Sequence, residues 1–348
     1  MFHYLQTATK NLLQNPQFFL HKLQNYLAFF QHRPNVFHPL NYQIEPATKC
    51  NLACQMCAVK KDHSFYPNLI KKNFNKWLPR ILPAESVNLS GLGEPTLNPS
   101  LAYFIKKLSQ NKTSVFIISN GQLITPKMAD SLVRSGLKSI AISLESTRPK
   151  DYEAIRTGAK FTRLSQALKI LSQKPLTVIC NIVILQPQSI NFNFFKSFID
   201  FAQKHQVFCL NFSVPDNVIS SQTLQYFQTH HTKISNTYKT TLDYARQKNI
   251  QAHLPNNHLR QGQCSSPWLF PYITTSGDVL PCCALLHLGL ANDQQRSEII
   301  KKYSFGNLSF SSITKIWNNR RAKKFRRAFV DHQYPKECLL CSKFYGLK

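Results

Sequence analysis

Acidic residues are what this chain is shortest of: Asp and Glu number 16 against 43 Lys and Arg, a formal charge of +27 at neutral pH. That imbalance favours attraction to polyanions such as nucleic acid, acidic peptides or anionic lipid headgroups, and equally fits a lysine-rich surface that is merely solvated. Long apolar runs are missing too. No stretch approaches the ~20 residues of a membrane-spanning helix, and the first forty residues never place a small-residue cleavage site behind an uninterrupted apolar core. Low-complexity repeats and long Gly/Ser/Pro tracts are absent, which sets aside the disordered and fibrous classes. What is there is a chain of 348 residues, 43% hydrophobic and 12% aromatic, with room for one large α/β domain and a smaller one.

Ten cysteines are sparse for the length and fall into C-x3-C-x2-C, CC and C-x2-C groups, the spacing of metal ligands more than of disulfides. With no secretory signal ahead of them, they predict a place in the reducing cytoplasm. The first group, Cys50, Cys54 and Cys57, has no fourth cysteine close behind it. A structural zinc site takes four protein ligands, so three thiolates leave a position open, a deficit that suits an iron–sulfur cubane with one unligated iron. A zinc knuckle completed by His63 or a distant cysteine is the alternative.

From residue 41 onward, short β-rich runs alternate with helical segments: YQIEPA, SVNLSG, SVFIISN, SIAISL, LTVICNIVIL and VFCLNFSV. Helical patterns lie between them, for example over 128–134, 163–171 and 193–202, so the runs predict parallel βαβ units forming a partial (β/α)6 TIM-like barrel. The cysteine array follows the first run, GLGEP the second, SNGQ the third and Ser143-Leu144-Glu145 the fourth, which brings four polar clusters to one rim. Ahead of the barrel, Phe18, Phe19, Leu23, Tyr26, Leu27 and Phe30 are spaced for an amphipathic helix that packs back on the main body, with contact to a membrane surface as the alternative. The expected organisation is a helical extension over 1–40, the barrel over 41–215, a helical connection over 216–262 and a small cysteine-bearing domain over 263–348.

CNLACQMC together with GLGEP resembles the radical S-adenosylmethionine superfamily, and CSSPWLFPYITTSGDVLPCC extends the likeness to its SPASM/twitch branch over roughly residues 41–345. The resemblance implies that Cys50, Cys54 and Cys57 hold a [4Fe-4S] cluster whose fourth iron chelates the methionine moiety of S-adenosylmethionine. Gly91 and Gly93 would then allow close backbone approach and Glu94 would accept from the methionyl ammonium, with Leu92 standing where the family commonly has a second glycine. Ser119, Asn120, Ser143 and Glu145 are candidates for the ribose hydroxyls or the surroundings of the methionyl carboxylate. Arg156 is the candidate countercharge for that carboxylate, or else a surface arginine, and Asn181 is either a ribose or adenine contact or a structural hydrogen bond.

Near the C-terminus, Cys264, the G-x4-C element ending at Cys282, and Cys338 with Cys341 fit zinc or iron–sulfur comparably well by spacing alone. The resemblance implies one auxiliary [4Fe-4S] cluster, and no cysteine follows Cys341 to hold a further one. The register favours Cys282 over Cys283 as ligand, leaving Cys283, Cys180 and Cys209 as core residues. The implied activity is reductive cleavage of S-adenosylmethionine and hydrogen-atom abstraction from a peptide, protein or natural product, with flavodoxin or ferredoxin as electron donor. The short N-terminal extension offers no leader-binding domain, so a small-molecule or lipid-linked substrate stays open. Asp216 and Asp278 are candidate proton acceptors, with ordinary turn roles as the default. The basic stretch 318–329 reads as a solvated helix face, or as a clamp for an acidic peptide or RNA. A metal-stabilised nucleic-acid-binding protein is the reading from another class; it leaves GLGEP unexplained and finds no RNP, KH or zinc-finger pattern.

Overall fold

The computed structural model describes residues 16–57, 67–215, 220–262, 264–287 and 293–347. His63 and Asp216, both raised by the sequence, lie outside them. The six expected runs form strands β1 (Asn41–Ile44), β2 (Ser86–Asn88), β3 (Ser114–Ser119), β4 (Ser139–Ser143), β5 (Thr177–Val183) and β6 (Cys209–Ser213), paired in parallel in that order. Their alternation explains the pairing. In β5, Val178, Cys180 and Ile182 are buried while Thr177, Ile179, Asn181 and Val183 are half-buried on the other face. The buried face meets helices such as Phe192–Lys204, whose Phe195, Phe198, Ile199 and Ala202 form one stripe and whose phenylalanines meet Phe212 of β6 edge to face. Each such ring contributes roughly 1.5–3 kcal/mol by its burial alone.

Segment 216–262 holds more than helices. After Ser221–Thr229 and His231–Gln247 comes β7 (Gln251–His253), a seventh parallel strand paired with β6. The cysteine-bearing C-terminal unit is sewn onto the opposite edge: β8 (Tyr272–Ile273) pairs in parallel with β1, and β9 (Asp278–Leu280) and β10 (Gly306–Asn307) add antiparallel strands. One ten-stranded sheet therefore runs β10-β9-β8-β1-β2-β3-β4-β5-β6-β7 through both parts. Gly277 turns the β8–β9 hairpin at a φ of +91°, where a Cβ would also strike the Trp77 ring at 2.6 Å.

The N-terminal helix, Pro16–Phe30, does pack back on the body, with Tyr26 of the expected stripe against the core but much of the contact made by other residues. Asn25 and Ala28 are buried, Asn25 bonds the backbone of Phe37 and His38, and Phe29 meets Trp268 edge to face. Leu23, Leu27 and Phe30 stay exposed. Among the described residues no helix is long and apolar enough to cross a membrane.

Candidate active site

The loop after β1 carries Cys50 and Cys54, both half-buried, and the exposed Cys57. Two neighbours hold it in place. On one side Ala53 N–H and Gln55 N–H donate to the carbonyls of Thr157 and Ile155, each at 2.9 Å; on the other, Gly93 N–H and Glu94 N–H donate to Ala47 and Lys49 carbonyls at 3.2 and 2.8 Å. The GLGEP loop is thus stitched to the cysteine loop by main-chain bonds. A Cβ on Gly93 would stand 2.5 Å from the Lys49 carbonyl oxygen and 2.6 Å from that of Ala47, and one on Gly91 would stand 2.5 Å from Glu45 Cγ. Both glycines are required by close approach of the chain to itself. Leu92, between them, is buried with Tyr272, Leu280 and Leu285.

Glu94 accepts four hydrogen bonds from its own chain. Its Oε1 accepts from Thr96 N–H (3.1 Å), Thr96 Oγ1 (2.6 Å) and Ser119 Oγ (2.7 Å), and its Oε2 accepts from Asn120 N–H (2.8 Å). The carboxylate ties the tip of β2 to the end of β3 and keeps one Oε2 lone pair for a further donor. Asn120 in turn donates to Asn51 Oδ1 at 2.8 Å and lies 3.9 Å from Cys50 Sγ.

Arg156 and Glu145 meet each other. Both are buried, the guanidinium donates through Nε and through Nη2 (2.7 Å) in a fork, and its Nη1 lies 3.8 Å from Cys54 Sγ. Desolvation works most strongly against the cation, but the charge and hydrogen bonds of Glu145, with Cys54 and Tyr152 nearby, together hold the Arg156 pKa above its ordinary value. Burial pushes the Cys50 and Cys54 thiols up, and the Arg156 cation partly offsets that at Cys54. The loop thus has an amide donor beside one thiol and a permanent cation beside another, which is what an anionic iron–sulfur cluster on these cysteines needs.

Ser143, Asn181 and Asn211 occupy one rung across β4, β5 and β6, and Asn211 donates to Asn181 Oδ1 at 3.2 Å. Asn211 escaped the sequence reading although its place in VFCLNFSV matches that of Asn181 in its own run. Gln122 was also missed: its Oε1 accepts from Lys160 N–H at 2.8 Å, which fastens the SNGQ turn to the chain after Arg156. The least visible pair was Glu45 with Arg296, 251 residues apart in sequence, bidentate and buried, at 2.5 and 3.3 Å. Glu45 closes β1 and Arg296 sits on helix Asp293–Tyr303 of the C-terminal unit, so the pair clamps that unit to the barrel.

In that unit, Cys264, Cys283, Cys338 and Cys341 all act electrostatically on Cys282, and burial first, then these neighbours, raise its thiol pKa well above the ordinary value. Cys338 and Cys341 are joined by a tight turn, Cys341 N–H to the Cys338 carbonyl at 3.1 Å. Cys283 also belongs to the group, with Lys343 Nζ 3.6 Å from its sulfur. Among the described residues no three Cys, His, Asp or Glu side chains close on a single ion; a four-iron cluster binds each thiolate to a different iron and sets them wider apart. Cys180 and Cys209 are core residues, as expected. Asp278 accepts from Ser276 Oγ at 2.7 Å and Asn307 Nδ2 at 3.0 Å, an ordinary turn role.

A family model for the radical SAM superfamily matches residues 44–192, and one for an iron–sulfur cluster-binding domain, SPASM, matches 264–342. The tungsten-containing aldehyde ferredoxin oxidoreductase cofactor-modifying protein of Pyrococcus furiosus is 23% identical over 324 residues, 86% of either chain. The GTP 3',8-cyclase of Chlorobaculum tepidum is 25% identical over 170 residues, which cover 47% of this chain and 50% of the cyclase. In fold the chain is similar to Streptococcus suis SuiB bound to precursor peptide SuiA, with a TM-score of 0.64 at 17% identity, covering 94% of this chain and 75% of SuiB. It is also similar to anSMEcpe with bound AdoMet, at 0.62 and 15%, covering 87% and 88%.

Proposed function

This chain belongs to the radical S-adenosylmethionine superfamily and carries a SPASM domain, with a SAM-binding [4Fe-4S] cluster and an auxiliary one, and from that premise we propose that it is a maturase that modifies a peptide or protein. Cys50, Cys54 and Cys57 would hold the cluster, which would supply the chemistry of reductive S-adenosylmethionine cleavage and so of hydrogen-atom abstraction from the substrate. The observation that carries the reading is the convergence at one rim of three thiols with Asn120 beside Cys50 and Arg156 beside Cys54. Glu94, locked by Thr96, Ser119 and Asn120, presents its remaining lone pair to the methionyl ammonium. Arg156, committed to Glu145, acts on the sulfur side and fixes the loop more than it grips a carboxylate. Ser143 and Asn181 supply the ribose edge.

Cys264, Cys282, Cys338 and Cys341 hold the auxiliary cluster, with Cys283 as the surplus thiol. Flavodoxin or ferredoxin is the electron donor that suits such a site in a reducing cytoplasm. A fold shared with a peptide-bound neighbour supports the peptide substrate. A small molecule is the second reading, favoured by the Pyrococcus relative named for modifying a cofactor.

Anaerobic reconstitution followed by metal counting and an assay for 5'-deoxyadenosine tests the chemistry: about eight irons with product are expected, and zinc without product overturns it. A pool of deuterated peptides tests the substrate class. Deuterium arriving in 5'-deoxyadenosine supports the peptide reading; deuterium arriving only from a deuterated small-molecule fraction rejects it.

A further inference from the structure

Helix Arg320–Val330 carries Arg320, Lys323, Lys324 and Arg327 at i, i+3, i+4 and i+7, one stripe that lines a groove of about 450 Å³. The helix is held rigidly from behind. Ala322 and Phe329 are buried, and the fully buried Arg326 donates to the carbonyls of Pro267 (2.8 Å), Pro34 (2.8 Å) and Trp317 (2.7 Å). Asn319 caps its start, accepting from Ala322 N–H at 3.0 Å. Among the described residues none of the four stripe cations meets a carboxylate, and the first turn holds no acid to balance the helix dipole against them. Four like charges are thus gathered where they repel one another and the positive end of the helix, a local penalty that an anionic occupant relieves.

The chemistry of the groove selects among anions. No aromatic ring lines it, so the groove lacks the aromatic stacking platform of single-strand nucleic-acid binders. Ala322, Phe325 and Phe329 pack inward, leaving Val330 as the exposed large apolar side chain of the helix, too little to sink into a bilayer. A carboxylate-rich peptide needs neither feature, and its carboxylates are gripped well by both Arg and Lys. The stripe is about 10 Å long, the reach of three to four residues of extended peptide. Residues 331–337 connect this helix to Cys338 and Cys341 in the chain.

We propose that Arg320, Lys323, Lys324 and Arg327 form the docking groove for an Asp- or Glu-rich segment of the polypeptide this enzyme modifies. The proposal rests on the peptide reading of the substrate. Its test is binding of a fluorescein-labelled glutamate octapeptide to the reconstituted full chain, at about 50 mM and about 300 mM salt. The variant Arg320→Gln/Lys323→Gln/Lys324→Gln/Arg327→Gln is compared with Lys127→Gln/Lys150→Gln/Lys233→Gln/Lys239→Gln, which removes as much charge from exposed sites elsewhere.

The groove variant should bind at least about tenfold more weakly at low salt and the control variant as well as the parent. Equal loss in both, or loss in neither, would assign any binding to the general +27 field and overturn the proposal. Tighter groove-dependent binding of oligothymidine or of phosphatidylserine vesicles would overturn it in favour of those partners. Formation of 5'-deoxyadenosine is measured on the same proteins. It should survive in both variants, and its absence from all three counts against the catalytic reading without touching the binding result.

Discussion

Arg156 sits where two demands meet, a buried carboxylate on one edge of its guanidinium and the Cys54 sulfur on another. Removing it strands Glu145, so Arg156→Gln should cost about 3–5 kcal/mol in denaturant unfolding, and Glu145→Gln added to it should recover a large part of that loss. Asn120→Ala tests the other donor. Losing an amide beside Cys50 should lower the reduction potential of the cluster in an EPR-monitored titration, and an unchanged potential would show that Asn120 serves only Asn51. The cysteines were legible at this scale because ligand spacing is local in sequence. The partners of Glu94, Glu145 and Glu45 were not: each meets residues that only the fold brings near, and a residue type says nothing of which partner it will find.

Between the elements, the main-chain stitching of the two rim loops leaves no space at Gly93. Gly93→Ala forces a methyl group into the Ala47 and Lys49 carbonyls, which should destabilise the protein by about 1–3 kcal/mol and reduce iron retention on desalting, measured as iron per chain after reconstitution. Strands β1 to β6 could be read because each is a run of β-branched and apolar residues with period two. Strands β7 to β10 could not. They are two or three residues long and, unlike the equally short β2, stand outside the regular strand–helix alternation that marks it; they exist because an edge of an established sheet offers them hydrogen-bond partners. The N-terminal helix gives the opposite lesson: Leu23, Leu27 and Phe30 of its apolar stripe stay exposed, and the face that packs is organised around Asn25, which satisfies the backbone of residues 37 and 38.

Across the whole molecule, the C-terminal unit depends on the barrel through the β1–β8 pairing and the Glu45–Arg296 pair. Arg296→Met leaves Glu45 buried without its cation and should loosen that unit first. The expected signature is cleavage in the C-terminal unit during limited proteolysis and iron falling from about eight toward about four per chain, with 5'-deoxyadenosine still formed. Loss of both clusters together would mean that the two parts unfold as one.

Because Gln43 and Ile44 of β1 are in register with Tyr272 and Ile273 of β8, the strand that ends in the first cysteine loop is also the strand on which the auxiliary unit hangs. Among the described residues one continuous sheet runs between the two sets of thiols. A swing of one relative to the other would have to unzip a sheet, so the gap between them acts as a fixed caliper, and substrates of different girth must be accommodated by the loops around it.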